Sequence, residues 1–158
     1  MVLLERQSGD RPGLRNSLHP RADFGSLCPN NMSRALTNGI LVVVKSAYMP
    51  ERSTPTLRRF AFAYTVTIAN EGSDTAQLTR RHWIITDGEG KIEEVEGEGV
   101  VGEQPVLAPG ESFEYTSWCQ LETPSGSMQG TYRMVNPDGG AFEAEIAPFR
   151  LGMPYSLN

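Results

Sequence analysis

Large apolar side chains alternate with small or polar side chains along residues 60–68. The bulky positions are Phe60, Phe62, Tyr64, Val66 and Ile68. Because successive side chains of a β-strand point to opposite faces, this pattern places every bulky group on one side. The segment is therefore predicted to be a strand whose bulky face packs in a core.

Six other segments combine alternating apolar positions with many β-branched or aromatic residues, which favours further strands. They span residues 40–48, 76–86, 92–98, 113–119, 128–134 and 141–146. Glycine, proline, asparagine and aspartate predict turns between them, at residues 70–72, 87–90, 109–110, 124–126 and 136–140. No window shows a convincing helical period. The pattern predicts an all-β protein, an antiparallel β-sandwich of the immunoglobulin-like or fibronectin type III-like kind.

Residues 107–113, LAPGESF, resemble the corner that links the two sheets in fibronectin type III domains. In that corner a tyrosine hydroxyl bonds back to the backbone, and Phe113 stands where this tyrosine is expected. Two alternatives follow: either Tyr115 serves a related purpose in a shifted register, or packing alone holds the corner.

The first 33 residues differ in composition from the rest of the chain. Their arginines and acids are interspersed, with few large apolar residues after Leu4, and the apolar run of residues 2–4 is too short for a signal peptide. We expect a disordered N-terminal extension over residues 1–33 and one folded domain over residues 34–158, a length sufficient for a sizeable core. An alternative is that translation begins at Met32.

The overall charge and the cysteine content limit the classes of partner. The net charge is −5 and the sequence pI is about 5.1, which argues against a nucleic-acid partner because such proteins present a basic surface to phosphates. No run of 18 apolar residues occurs, so no membrane span is predicted. Cys28 and Cys119 lack metal-ligand spacing, which favours a reducing, cytoplasmic location.

Gly97, Gly99 and Gly102 have the GxGxxG spacing that binds a pyrophosphate in dinucleotide-binding folds. That use requires a helix directly after the motif, whereas Pro105 and many acidic residues surround it here. We interpret the glycines as structural, supplying a turn, a bulge or a close strand approach. The alternative is a small anion site made by backbone N–H groups, with Arg80 and Arg81 brought close from another strand.

Glu94, Glu96 and Glu98 alternate along one predicted strand, so their carboxylates share a face. Oxygen ligands at this spacing are compatible with a hard divalent ion such as magnesium. Acidic side chains along a strand more often keep an exposed edge soluble, which is the interpretation we favour over a metal site.

Arg80, Arg81 and His82 precede Trp83 in another predicted strand. Trp83 is expected in the core, with Ile85 and the rim residue Arg81 on the same face. The opposite face is predicted to carry Leu78, Arg80, His82 and Ile84. Arg80 and His82 there form a candidate cationic patch for an anionic ligand or a partner.

The pattern of nucleophiles and bases argues against an enzyme. Of the two histidines, His19 lies in the expected N-terminal extension and His82 in the folded domain. No GxSxG or HExxH motif accompanies His82. A dyad of His82 with Cys119 stays open, but a single thiol beside a tryptophan on a strand is usually a small buried hydrophobe. No catalytic residue is assigned.

Five segments resemble the ApaG family: FAYTVTIAN at 62–70, RHWIITD at 81–87, VEGEGVVGEQP at 95–105, LAPGESFEYTS at 107–117 and GSMQGTY at 126–132. The resemblance covers about residues 34–158. It implies a fibronectin type III-like sandwich and a bacterial cytoplasmic setting. It also implies the recognition role that related domains have in eukaryotic F-box and polymerase-interacting proteins.

Two functions are therefore expected. The first is a non-enzymatic module that binds a protein partner through loops and an exposed sheet face. The alternative is a carrier or sensor of pyrophosphate or diadenosine polyphosphate, with magnesium or cobalt. The resemblance implies this alternative through the family's association with tolerance of these metals.

Overall fold

The computed structural model describes residues 31–154. Most of the predicted N-terminal extension lies outside the described residues, and Met32 and Ser33 already belong to the first strand. The described chain forms nine strands and two single-turn 3-10 helices. These are β1 (Met32–Thr37), β2 (Ile40–Tyr48), the 3-10 turns Pro50–Arg52 and Pro55–Leu57, β3 (Phe60–Asn70), β4 (Ala76–Asp87), β5 (Ile92–Glu98), β6 (Val106–Leu107), β7 (Ser112–Leu121), β8 (Ser125–Val135) and β9 (Ala141–Gly152).

Two antiparallel sheets pack face to face. One has the strand order β1-β2-β3-β7, and the other has the order β5-β4-β8-β9, with the short β6 also paired to β4. The predicted fold, an antiparallel fibronectin type III-like sandwich, is confirmed. On one side, hydrogen bonds join β1 and β2 of one sheet with β9 of the other. Ser46 Oγ of β2 donates to the Arg150 carbonyl at 2.6 Å, and the Glu145 N–H of β9 donates to Thr37 Oγ1 of β1 at 3.1 Å.

The core lies between the sheets and is rich in aromatic rings. Trp83 is fully buried, and its ring centroid lies 5.3 Å from that of Tyr64 and 6.1 Å from those of Tyr132 and Phe149. The bulky residues of β3 are buried as the alternation predicted. Aromatic pairs at these separations stabilise a core beyond the area that they bury.

A β-bulge in β4 overturns one predicted orientation. The register of β4 with β8 shifts between Leu78 and Arg80. The extra residue reverses the alternation, so that Leu78 is fully buried on the same side as Trp83. The prediction that Leu78 points outward with Arg80 and His82 was wrong for this reason.

The corner between β6 and β7 is tied to β3 by the buried Asn70. The Asn70 Nδ2 group donates to the backbone carbonyls of Leu107 and Asp74, at 2.9 and 2.8 Å, and the backbone carbonyl of Asn70 accepts from the Gly110 N–H at 2.8 Å. The Tyr115 hydroxyl instead bonds to the Tyr132 hydroxyl across the core. An asparagine, which the sequence pattern did not indicate, thus stabilises this corner.

Candidate functional site

The glycine motif forms a tight reversal after β5. Val100 and Glu103 exchange both backbone hydrogen bonds, at 2.8 and 2.9 Å. Between them Val101 and Gly102 have φ angles of 45° and 77°, the two positive values that a type I′ turn requires. A left-handed φ is costly for a β-branched residue, and Val101 offsets it by packing against the core. The structural interpretation of the motif therefore matches its conformation.

The other two glycines permit close approach. Gly99 has a φ of 63°, and a Cβ atom there would lie 2.3 Å from the Glu103 carbonyl oxygen. At Gly97 a Cβ atom would lie 2.9 Å from the Arg81 guanidinium on the neighbouring strand. Each position thus leaves no room for a side chain unless its neighbours move.

Arg81 is brought to the glycine motif, as the anion-binding alternative required. Its Nη1 group donates to the carbonyl oxygens of Glu98 and Gly99, at 3.0 and 2.9 Å. The guanidinium therefore lies across Gly97 and fastens the strand end to β4. The groups of the motif that the Arg81 Nη1 atom contacts are therefore peptide carbonyls, not N–H groups.

His82 lies on the outer face of the five-stranded sheet, opposite Glu96 on β5. Its Nε2 atom is 3.9 Å from Glu94 Oε2 and 3.8 Å from Glu96 Oε1, distances longer than a hydrogen bond. Glu94, Glu96 and Glu98 are all exposed along this face. Within residues 31–154, no group of three or more histidine, cysteine or acidic side chains is arranged to hold a metal ion.

Four exposed charges cross the same face in one line, which we call the charged row: Glu98, Arg80, Arg133 and Glu143. Glu98 pairs with Arg80, Arg80 with Arg133 and Arg133 with Glu143 in the registers of four neighbouring strands. Arg133 Nη1 lies 3.8 Å from Glu143 Oε1. Arg80, Arg133 and Glu143 of the row line an open groove, together with His82, Glu96 and Thr131. Sequence reasoning identified Arg80 but missed Arg133, because only the pairing of β4 with β8 makes them neighbours.

The outer face of the other sheet differs in character. Small side chains follow β3 there, at Ala63, Thr65 and Thr67. Trp118 of β7 is half-buried beside them, with the Arg52 guanidinium 5.5 Å from its ring centroid. Exposed Arg34 and Lys45 lie on β1 and β2 of this sheet, outside the charged row, which makes them suitable control positions.

Cys119 is buried in the core, where its thiol donates to Met128 Sδ at 3.8 Å. Burial, reinforced by the negative charge of Glu93, raises the pKa of the Cys119 thiol to about 12. The group is therefore a protonated thiol at neutral pH, as expected for a small buried hydrophobe rather than a nucleophile.

Cys119 is expected to make stability fall in alkaline solution. Unfolding exposes the thiol, whose ordinary pKa is 9.0. Above that pH the unfolded chain loses a proton that the folded chain keeps, so stability is full below pH 9.0 and is lost as the pH rises towards about 12. From pH 8 to pH 10 the wild type should lose about 1.4 kcal/mol more than Cys119→Ala, measured by urea unfolding. Parallel pH profiles for the two proteins would contradict this.

Comparisons with known proteins agree with the sequence resemblance. A family model described as the ApaG domain (DUF525) matches residues 50–136. A protein named ApaG from Anaeromyxobacter dehalogenans strain 2CP-C is 61% identical over 127 residues, which cover 80% of this chain and 100% of that protein. Protein ApaG of Bordetella pertussis is 56% identical over 119 residues, covering 75% of this chain and 91% of that protein.

Solved structures show the same similarity. A crystal structure of a Bordetella pertussis protein named ApaA has a TM-score of 0.73 and 53% identity, covering 77% of this chain and 99% of that one. A second X-ray structure, of a structural genomics target named SoR45, has a TM-score of 0.72 and 48% identity, covering 78% and 94%. In the described residues, no helix is both long and apolar enough to span a membrane.

The family model matches more than half of the chain, and the ApaG protein from Anaeromyxobacter dehalogenans is covered over its whole length. The chain belongs to the ApaG family.

Proposed function

We propose that this ApaG family protein is a non-enzymatic module of the cytoplasm that binds a protein partner through the outer face of its five-stranded sheet. The charged row carries this proposal. Its two central residues, Arg80 and Arg133, stand directly opposite each other on neighbouring strands. Like charges in that position repel, and Glu98 and Glu143 offset this repulsion from the two ends of the row, so an acidic group of a partner placed between the arginines would add a favourable contact at the centre.

The surrounding side chains support recognition rather than catalysis. His82 lies on the outer face of one sheet, whereas Cys119 is buried with a raised thiol pKa in the other. Complementary charges on an exposed face chiefly provide specificity and fast association, since each exposed ion pair contributes only about 0.2–1 kcal/mol. The sandwich would supply a rigid surface for these contacts.

Affinity capture from native cell extract tests this function. Immobilised wild type is compared with the double variant Arg80→Glu/Arg133→Glu and with the control Arg34→Glu/Lys45→Glu. Both variants change the net charge equally, but only the first alters the charged row. Retention of specific proteins should fall about tenfold or more with the first variant and stay unchanged with the control. Equal retention by all three proteins, or no specific retention by the wild type, would refute the assignment.

A second candidate function is binding of pyrophosphate or a diadenosine polyphosphate with magnesium or cobalt. One contact favours this candidate: Arg81 Nη1 lies 2.9 Å from the Gly99 carbonyl oxygen, so a guanidinium is present at the glycine motif. A divalent ion would offset the acids of β5. Calorimetric titration with pyrophosphate, diadenosine tetraphosphate and the metal chlorides tests it. Saturable heat that Arg81→Gln abolishes would support this candidate, and no heat up to millimolar ligand would eliminate it.

A further inference from the structure

We infer that the charged row recognises an extended segment of its partner in which an acidic residue stands between two basic residues, two positions from each. This inference rests on the proposed protein-binding function and specifies the chemistry of the partner. Two features of the outer sheet face carry it: the order of the charges and their spacing.

The order of charges across the strands is negative, positive, positive, negative. Glu98 and Glu143 occupy the ends, and the arginine pair occupies the centre. All four side chains are exposed, so a partner can reach each of them. A single carboxylate above the centre can accept hydrogen bonds from both guanidinium groups, whose planar forks suit carboxylate geometry. Lysine or arginine side chains on either side of it would then meet the terminal glutamates.

The spacing of the row fits an extended segment more closely than a helix. Neighbouring strands lie about 4.8 Å apart, so the ends of the row are about 14 Å apart, and the midpoint of the arginine pair is about 7 Å from each end. Alternate side chains of an extended peptide are also about 7 Å apart, so its first, third and fifth residues match the row. In a helix, residues four apart in sequence lie about 6 Å apart along the axis, so three such residues span about 12 Å. This length is about 2 Å less than the distance between the ends of the row.

The next row along the sheet repeats the acidic ends. Glu96 and Glu145 flank His82 and Thr131 in the same registers. Both sides of the face are therefore acidic, while its centre is basic or polar. A segment displaced by one row along the strands still places its basic residues beside glutamates.

Selection from a displayed library of random peptides tests the inference. We expect wild-type domain to enrich peptides with the pattern basic-x-acidic-x-basic about tenfold over Arg80→Glu/Arg133→Glu, most strongly at low salt. Glu98→Lys/Glu143→Lys should change the preferred outer residues from basic to acidic. The control Arg34→Glu/Lys45→Glu should select the same peptides as the wild type. Arg80→Gln/Arg133→Gln is the alternative variant if the glutamates impair folding, checked by circular dichroism.

Three results would overturn the inference. The first is that the wild type enriches peptides that lack the basic-x-acidic-x-basic pattern. The second is that the Arg80 and Arg133 variants enrich the same pattern as the wild type. The third is that only the control substitutions at Arg34 and Lys45 change which peptides are selected. In the last case the domain still binds peptides, so a protein-binding role stands, while the outer face of the five-stranded sheet and its charged row are ruled out as the binding surface. Absence of any selected peptide, together with no captured partner, would overturn both.

Discussion

Replacing Trp83 with alanine is expected to lower the free energy of unfolding by about 4 kcal/mol, the cost typical of removing a fully buried tryptophan. The side chain contacts rings from both sheets, those of Tyr64, Tyr132 and Phe149. Its removal would leave a cavity that neighbouring strands cannot fill without losing their pairing. Urea unfolding followed by circular dichroism measures the change, because tryptophan fluorescence would itself be altered.

Trp118→Ala is the matched control, since it removes the same side chain from the outer face of the other sheet. Trp118 is half-buried, and the guanidinium of the exposed Arg52 lies over its ring. A loss of about 1 kcal/mol is expected there. If Trp83→Ala does not fold, Trp83→Phe provides the measurement, with a smaller loss that still exceeds that of the control. Equal losses at the two tryptophan positions would mean that Trp83 does not organise the core.

Gly99→Ala is expected to destabilise the domain by about 2–5 kcal/mol. The substitution forces a left-handed φ of 63° on alanine and places its Cβ atom 2.3 Å from the Glu103 carbonyl oxygen. Left-handed backbone costs about 1–2 kcal/mol, and the steric clash adds about 1–3 kcal/mol. Denaturant unfolding of the purified variant provides the measurement.

Gly90→Ala separates the steric term from the backbone term. Gly90 also has a positive φ, of 84°, but a Cβ atom there meets nothing within 4 Å. Only the backbone cost, about 1 kcal/mol, is expected. Unchanged stability of Gly99→Ala, combined with a loss of pyrophosphate binding, would instead favour the anion-binding interpretation of the motif.

The sequence predicted the fold well where one periodicity persisted along a strand. The alternation in β3 identified both the strand and its buried face, because a continuous strand keeps its alternation. The prediction failed at Leu78, where the bulge before Arg80 adds one residue and inverts the pattern. It also missed β1 and β6, since β6 has only two residues and β1 alternates weakly at Ala35 and Leu36.

The candidate site was predictable only in part. Arg80 and His82 were correctly expected on an outer face, because their position relative to Trp83 is local. Their partners Arg133 and Glu143 come from β8 and β9, and the alternation within a strand contains no information on strand order. Asn70 illustrates the same limit, since its bond to the Leu107 carbonyl joins residues that are distant in the chain.

The most direct test of the account is to map the bound surface by NMR chemical shifts. Isotope-labelled domain is titrated with a partner captured from cell extract or with a selected peptide. The account predicts that the largest shifts fall on the amides of Arg80, His82, Arg133 and Glu143, along the outer face of the five-stranded sheet. Shifts concentrated around Thr65 and Trp118 on the other sheet, with the charged row unaffected, would contradict it.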